Sequence, residues 1–306
     1  MKCLFIINPS AGTKTIQKKL DQIIGQMILK KLVSTIDVFY TEKKDDAYQY
    51  CLKLKDDDYD FVVSVGGDGT VNEIINGFIE NHLQTPLAIL PGGTVNDFAN
   101  HLHLPHDTDD FIQMIEDFQT MKVDIGKVNE HYFANVIAGG MFSDISFQVS
   151  KADKERFGPL AYYISGIRQL PTQLHTSLHL KITADDQTFE EDAKLFIITN
   201  TSQVGGFKDI TPHANVQDGQ LDLLIIKNCS TTDLISLFKD YKLNSHEKSP
   251  FITYVQAKEL TIECDKDIIY DVDGEKGTTF PIHVVVKKHS LCVIIPHHFN
   301  YQGESL

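Results

Sequence analysis

Gly69-Thr70-Val71-Asn72-Glu73 and Gly93-Thr94-Val95-Asn96-Asp97 are nearly the same pentapeptide, 24 residues apart. Each follows an apolar run and a glycine pair, in Val65-Gly66-Gly67-Asp68 and Pro91-Gly92-Gly93, and each opens a helix-like stretch. Glycine admits positive φ and lets another group approach the backbone closely. The first amides of a helix have no intrahelical partner and carry partial positive charge. Together these make an anion cradle suited to phosphates. Asp68 fits such a cradle only with a cation, because a carboxylate beside phosphates is expected where Mg²⁺ bridges them. The same residues have an ordinary reading. Thr70 with Glu73, and Thr94 with Asp97, match a helix N-cap box, and tight turns alone account for single glycines. Two such loops side by side favour anion binding. The chain has no G-x-x-x-x-G-K-[ST] element and no G-x-G-x-x-G after its first apolar run, so P-loop and Rossmann dinucleotide readings lack support. That first run ends in Asn8-Pro9-Ser10-Ala11-Gly12, either a wall of a nucleotide site or a plain connector.

The elements that must hold these loops follow from periodicity. Over roughly the first 125 residues, strands are expected at Cys3–Ile7, Ile36–Tyr40, Phe61–Val65 and Leu87–Leu90. Helices are expected at Ile16–Lys31, Asp45–Leu54, Val71–His82, Val95–Leu102 and Asp109–Thr120. This alternation predicts a parallel sheet with crossover helices, which binds ligands beyond the carboxyl ends of its strands. After about Asp124 the texture turns β-rich, with runs at Tyr132–Ile137, Leu178–Ile182, Leu195–Thr199, Leu221–Ile226, Leu260–Glu263, Ile282–Val286 and Leu291–Ile295. Asp218-Gly219 and Asp273-Gly274 are turn signals between them. A helix is expected at Thr231–Leu243 and an amphipathic one through Lys151–Leu170. The expected class is α/β: an N-terminal parallel-sheet domain over 1–125 followed by a largely antiparallel β domain over 126–295.

Composition limits the partners. The 306 residues carry a formal net charge of −14, with 28 Lys+Arg against 42 Asp+Glu. Broad nucleic-acid binding needs a clustered positive surface and is not expected. An anionic membrane would repel the molecule as a whole, so any membrane contact needs a local patch. The five cysteines, Cys3, Cys51, Cys229, Cys264 and Cys292, are scattered and never spaced C-x-x-C. That argues against a disulfide framework or zinc site and for a reducing compartment. No apolar run approaches the ~18 residues of a membrane span, so a cytoplasmic protein is expected.

Gly66-Gly67-Asp68-Gly69-Thr70-Val71-Asn72-Glu73, Leu90-Pro91-Gly92-Gly93-Thr94-Val95-Asn96-Asp97-Phe98-Ala99 and Asp271-Val272-Asp273-Gly274-Glu275 resemble the diacylglycerol kinase catalytic-domain family. Within it the chain looks most like the YegS-like soluble bacterial lipid kinases, relatives of sphingosine and ceramide kinases. Asn8–Gly12 and Val123-Asp124-Ile125-Gly126 match as well, so the resemblance covers nearly the whole chain. It implies an ATP-dependent phosphotransferase, a nucleotide domain followed by a β-sandwich domain, and a carboxyl-terminal segment (296–306) that returns to the first domain. The implied nucleotide contacts are Asn8, Pro9, Ser10, Ala11, Gly12, Thr41, Gly66, Gly67, Asp68, Gly69, Thr70, Val71, Asn72, Glu73 and Thr94. The implied structural Mg²⁺ site uses the Asp218 carboxylate with backbone carbonyls of Asn215 and Gln220, hard oxygen donors that suit this ion. Phosphoryl transfer to an alcohol needs a base near the attacking hydroxyl. That base is expected to be Glu275, with Asp273 the alternative; an exposed Asp-Gly hairpin tip is the plain reading of the same residues. Asp68 and Asp124 are candidates for metal or water contacts, and Asp124 could equally end a strand.

On the substrate side, Lys151–Leu174 sets Lys154, Arg156 and Arg168 beside Phe157, Tyr162, Tyr163 and Ile167. Such a segment either lies on a bilayer or packs on the β domain with its charges in water. The expected reaction is transfer of the ATP γ-phosphate to diacylglycerol at the inner face of the membrane, through peripheral contact. The alternatives are another acceptor (phosphatidylglycerol, a sphingoid base or NAD) or a non-catalytic lipid- or nucleotide-binding regulator. The sequence leaves a homodimer open.

Overall fold

The computed structural model of the chain describes residues 1–11, 14–140 and 177–297. Gly12 and the amphipathic segment 151–174 lie outside the described residues. The chain forms two compact units, Met1–Ile125 with Lys288–Leu306, described as far as residue 297, and Gly126–Lys287.

In the first unit, β1 (Lys2–Ile7), β2 (Thr35–Tyr40), β3 (Phe61–Gly66) and β4 (Leu87–Pro91) form a parallel sheet ordered β2-β1-β3-β4. β3 and β4 are buried at every position, which is why both read as unbroken apolar runs rather than alternating ones. Helices α1 (Lys14–Leu29), α2 (Asp46–Cys51), α3 (Asp68–Glu80), α4 (Asp97–His101) and α5 (Thr108–Asp117) connect and cover the strands. On α3, Val71, Ile74, Ile75, Phe78 and Ile79 are buried, the i, i+3, i+4 stripe that a core-facing helix requires. α2 crosses α3 at Gly77, where an added Cβ would stand 2.6 Å from the Cys51 Cβ and 2.9 Å from the Tyr48 carbonyl. Gln26 of α1 donates to Asp109 of α5 at 3.1 Å, and Lys30, just past the end of α1, pairs with Glu116 of α5 at 2.6 Å.

The sheet order places the chain reversal between β1 and β3, with β2 on one side and β4 on the other. That is the switch point beyond which open α/β sheets bind ligands. The turns leaving β3 and β4 meet there. An added Cβ on Gly93 would lie 2.6 Å from the Gly67 Cα, and Gly92 N–H donates to the Gly66 carbonyl at 2.8 Å. α4 follows immediately and buries His101, whose imidazole pKa is pushed down to about 4 by burial, with His103 adding to the shift.

β5 (Gln119–Val128) leads into the second unit. There β6 (His131–Phe133), β7 (Val136–Gly140), β8 (Leu178–Ala184), β9 (Gln187–Thr199), β10 (Leu221–Lys227), β11 (Ile252–Ala257), β12 (Glu259–Cys264) and the hairpin strands β13 (Asp271–Val272) and β14 (Glu275–Lys276) pair antiparallel. The last strand, β15 (Ile282–Ile295), pairs with β12 over Ile282–Val285 and reaches β4 at Val293. Phe133, Ile137, Leu180, Phe196, Leu223, Ile262, Tyr270 and Val284 belong to the buried core of this β-sandwich. α6 (Thr231–Lys242) is capped by a reciprocal Ser230–Asp233 box.

Three expectations change. Tyr132–Ile137 is two strands, broken at Ala134–Asn135. Ile282–Val286 and Leu291–Ile295 are one strand, its middle exposed over Lys287–His289. Asp124 lies inside β5 and does not end it. Among the described residues no helix is long and apolar enough to cross a membrane.

Two outcomes follow from this packing. Gly93→Ala drives a Cβ into the Gly67 backbone, which cannot swing aside as a side chain would, so the variant should lose about 1–3 kcal/mol of stability in urea unfolding. His101 is held neutral in the fold, whereas the unfolded chain binds a proton below its ordinary value of 6.5. Stability therefore falls as pH drops from about 6.5 to about 4, and the effect saturates below that. In His101→Gln the loss between pH 7 and pH 5 should shrink by about 2 kcal/mol, measured by urea titration at both values.

Candidate active site

Three strand ends line up in the first unit. Asn8 N–H donates to the Val65 carbonyl and Thr41 N–H to the Ile7 carbonyl, both at 2.9 Å, extending the β1–β3 and β1–β2 ladders by one step. Asn8 is the local tie. Its Nδ2 donates to Thr70 Oγ1 at 3.1 Å, and its Oδ1 accepts from Ser10 N–H at 2.9 Å. Ala11 N–H closes the turn onto the Asn8 carbonyl at 3.1 Å. The Thr70 side chain packs so tightly over Gly66 that an added Cβ would meet Oγ1 at 2.5 Å. The expected nucleotide residues Asn8, Gly66, Gly67 and Thr70 are thus in one place, with Thr41 buried at the adjoining strand end. Pro9 and Ser10 are exposed on the turn. Val71 belongs to the core, and Asn72 bonds to Asn76 along α3.

The two glycine bends do different jobs. α3 begins at Asp68 with Gly67 as its N-cap, and no side chain caps it. Its first turn therefore offers backbone amides to a ligand, as the phosphate reading needs. At the second bend the anion is already part of the protein. Asp68 Oδ2 accepts from Asn96 N–H at 2.8 Å. Burial pushes the Asp68 carboxyl above its ordinary pKa, while amides of Asn96, Phe98 and Asp97 at the start of α4 pull it back down. Asn96 is left-handed (φ 57°), and its side chain bonds both ways to Gly93, accepting from N–H at 2.8 Å and donating to C=O at 2.9 Å. Asn96 is not among the expected site residues. Its signal is an asparagine just before a helix, one of the few non-glycine types that takes positive φ readily. Thr94 is exposed on this loop.

The expected capping boxes do not form. The helices start at Asp68 and Asp97, so Thr70 sits inside α3 and Thr94 lies before α4. Glu73 instead caps a different helix, accepting from Ala47 N–H at 3.2 Å at the start of α2. Partial burial raises its pKa and the α2 amides oppose the rise. Asp124 is fully buried and accepts from His289 N–H at 2.7 Å, joining β5 to the last strand.

In the second unit the Asn215–Gln220 segment is a tight turn. Gln217 N–H donates to Asn215 Oδ1 at 2.9 Å, Gln220 N–H donates to Asp218 Oδ1 at 2.8 Å, and Gly219 takes φ 71°. Asp222 follows on β10 with Oδ1 bonded by Tyr254 Oη at 2.5 Å and Gln256 Nε2 at 3.1 Å. Burial, with the Asp218 charge adding, pushes the Asp222 carboxyl up to about 6, and its buried Oδ2 has no hydrogen-bond partner among the described residues. The turn's oxygen donors suit a hard cation. Among the described residues no cluster of three or more His, Cys, Asp or Glu is placed to hold a metal.

Asp273-Gly274 is the tip of the β13–β14 hairpin, with φ 49° and 89°, the two left-handed residues of a type I′ turn. Asp271 Oδ1 accepts from Gly274 N–H at 2.8 Å. The Asp273 carboxylate turns back onto the Ala134–Val136 backbone, and Glu275 stands exposed on β14.

Residues 2–128 match the family model of the diacylglycerol kinase catalytic domain, and residues 135–295 match the YegS C-terminal NAD kinase β-sandwich-like domain. A diacylglycerol kinase from Staphylococcus haemolyticus is 34% identical over 96% of this chain and 88% of its own length. One from Staphylococcus saprophyticus is 33% identical, over 95% of this chain and 94% of its own. The crystal structure of a diacylglycerol kinase from Bacillus anthracis superposes with a TM-score of 0.78 at 26% identity, covering 98% of both chains. Another crystal structure from that organism reaches 0.84 at 29% identity, over 98% of this chain and 96% of its own. Matched in both of its units and along nearly all of its length, the chain belongs to the diacylglycerol kinase catalytic-domain family and is a lipid kinase.

Proposed function

We propose that the chain transfers the γ-phosphate of ATP to the free hydroxyl of diacylglycerol, giving phosphatidic acid and ADP. The observation that carries this reading is the uncapped start of α3 at the sheet's switch point, beside Asn8 and Gly67. A helix start without a side-chain cap, where the sheet order reverses, suits a phosphate chain. The acceptor is taken from the activity for which the Staphylococcus relatives are named.

In this reading the first unit holds the nucleotide. Asn8 and the 8–11 turn wall it, Gly69, where an added Cβ would meet open space, lets the phosphates approach the backbone, and the start of α3 faces their charge. Asp68 keeps the second bend in position from within. Glu275 takes the proton from the acceptor hydroxyl as its oxygen bonds to phosphorus, so the nucleophile never carries full negative charge beside the phosphates. Mg²⁺ travelling with ATP neutralises phosphate charge. A structural Mg²⁺ would be held by the Asp218 carboxylate with the carbonyls of Asn215 and Gln220, fixing that turn.

Labelled ATP, Mg²⁺ and a mixed lipid extract test the acceptor: label should appear in phosphatidic acid. Label in another lipid would replace diacylglycerol as the acceptor, and label in a water-soluble product would overturn the lipid assignment. Glu275→Gln should keep nucleotide affinity while kcat falls about 10²–10⁴-fold in the same assay. Mg²⁺ should raise the thermal midpoint of the wild type, and Asp218→Asn should remove that increment in differential scanning fluorimetry.

A further inference from the structure

Two carboxylates stand two positions apart on the catalytic hairpin, and their surroundings differ. Asp273 Oδ2 accepts from Ala134 N–H at 2.6 Å, and Oδ1 accepts from Asn135 N–H at 3.0 Å and Val136 N–H at 2.8 Å. The Asp273 N–H in turn donates to the Val136 carbonyl at 2.9 Å. Three successive amides converging on one carboxylate form a backbone anion nest. A carboxylate held this way is a poor proton acceptor, because protonation would set an O–H against donors. Glu275 is exposed on β14.

The nest is itself held from behind. Asn200 N–H donates to the Asn135 carbonyl at 2.9 Å, and Asn200 Nδ2 donates to the Ala134 carbonyl at 3.0 Å. Thr201 Oγ1 donates to Asn135 Oδ1 at 3.2 Å, and Thr211 Oγ1 donates to the Thr201 carbonyl at 3.1 Å. Asn135, Asn200, Thr201 and Thr211 are all buried. The hairpin is thus tied through Asp273 to a rigid polar wall at the end of β9.

We propose that Asp273 is a positioning residue and not the base: it latches the hairpin onto the 134–136 nest and so fixes where Glu275 meets the acceptor hydroxyl, with Asn200 and Thr201 holding the nest. This rests on Glu275 acting as base in the proposed reaction. Replacing Asp273 by Asn sets an NH₂ group against the amides and loosens the latch without removing the base. A displacement of about 1 Å at a reacting group costs on the order of 10²-fold in rate.

Wild type, Asp273→Asn, Glu275→Gln and Thr201→Val are compared in two measurements. In kinetics, Asp273→Asn should lower kcat about 10–100-fold, leave the KM for ATP within about twofold, and keep the acid limb of the pH profile; Glu275→Gln should lose that limb. Thr201→Val, which keeps both carboxylates, should lower kcat in the same sense by a smaller factor. In hydrogen exchange, the amides of Ala134, Asn135 and Val136 should be protected in the wild type and Glu275→Gln, and exposed in Asp273→Asn. Loss of the acid limb in Asp273→Asn would make Asp273 the base, and unchanged protection of the three amides would remove the latch. Should Asp273→Asn fail to fold, a folded Thr201→Val with wild-type kcat overturns the proposal. A wild type that phosphorylates no lipid refutes the kinase reading alone, and the exchange result still decides the latch.

Discussion

The first unit turns on a contact between two backbones. Gly67 and Gly93 approach so closely that neither tolerates a Cβ without movement, and Asp68, one residue after Gly67, drives its carboxylate into the amides that open α4. The contact sets the separation of the bends, and the carboxylate locks it with charge-assisted hydrogen bonds. Burial of Asp68 would be costly alone; the α4 amides and the positive end of that helix offset it. The consequence is an asymmetry. One bend is filled from inside the protein, and the other begins a helix that no side chain caps.

That asymmetry marks the limit of what was legible in the sequence. The repeated pentapeptides announced two glycine bends on one sheet edge, and the bends are neighbours. Their division of labour was not readable, because it depends on an Asp68–Asn96 contact across 28 positions. The capping-box reading of Thr70 and Thr94 fails for a related reason: α3 begins at Asp68, before Thr70, and α4 at Asp97, after Thr94, while a reciprocal box does form at Ser230–Asp233.

The strand assignments divide in the same way. Fully buried runs such as Phe61–Val65 and Leu87–Leu90 were legible, since apolar continuity is local information. The break inside Tyr132–Ile137 was not. Ala134 and Asn135 look like strand residues, but their amides turn to a carboxylate 139 and 138 positions away. Ile252–Ala257 does not read as a strand because it is half-buried, with Thr253 and Gln256 interrupting its apolar pattern. The unity of Ile282–Ile295 was masked by its exposed centre, where polar residues read as a turn.

The acidic composition gains a structural meaning here. Asp56 binds the amides of Gln84 and Thr85, Asp185 those of Lys258 and Glu259, Asp46 those of Glu42 and Lys43, and Glu73, Asp124 and Asp273 do the same at their own sites. Several of the acids that contribute to the −14 charge fix loops and helix starts by accepting from backbone amides. A motif reading tends to assign every aspartate near a glycine turn to chemistry. The discriminating question is what each carboxylate already accepts. Asp68 and Asp273 answer it with backbone amides, and Glu275 stands exposed on the short strand β14 two positions after Asp273.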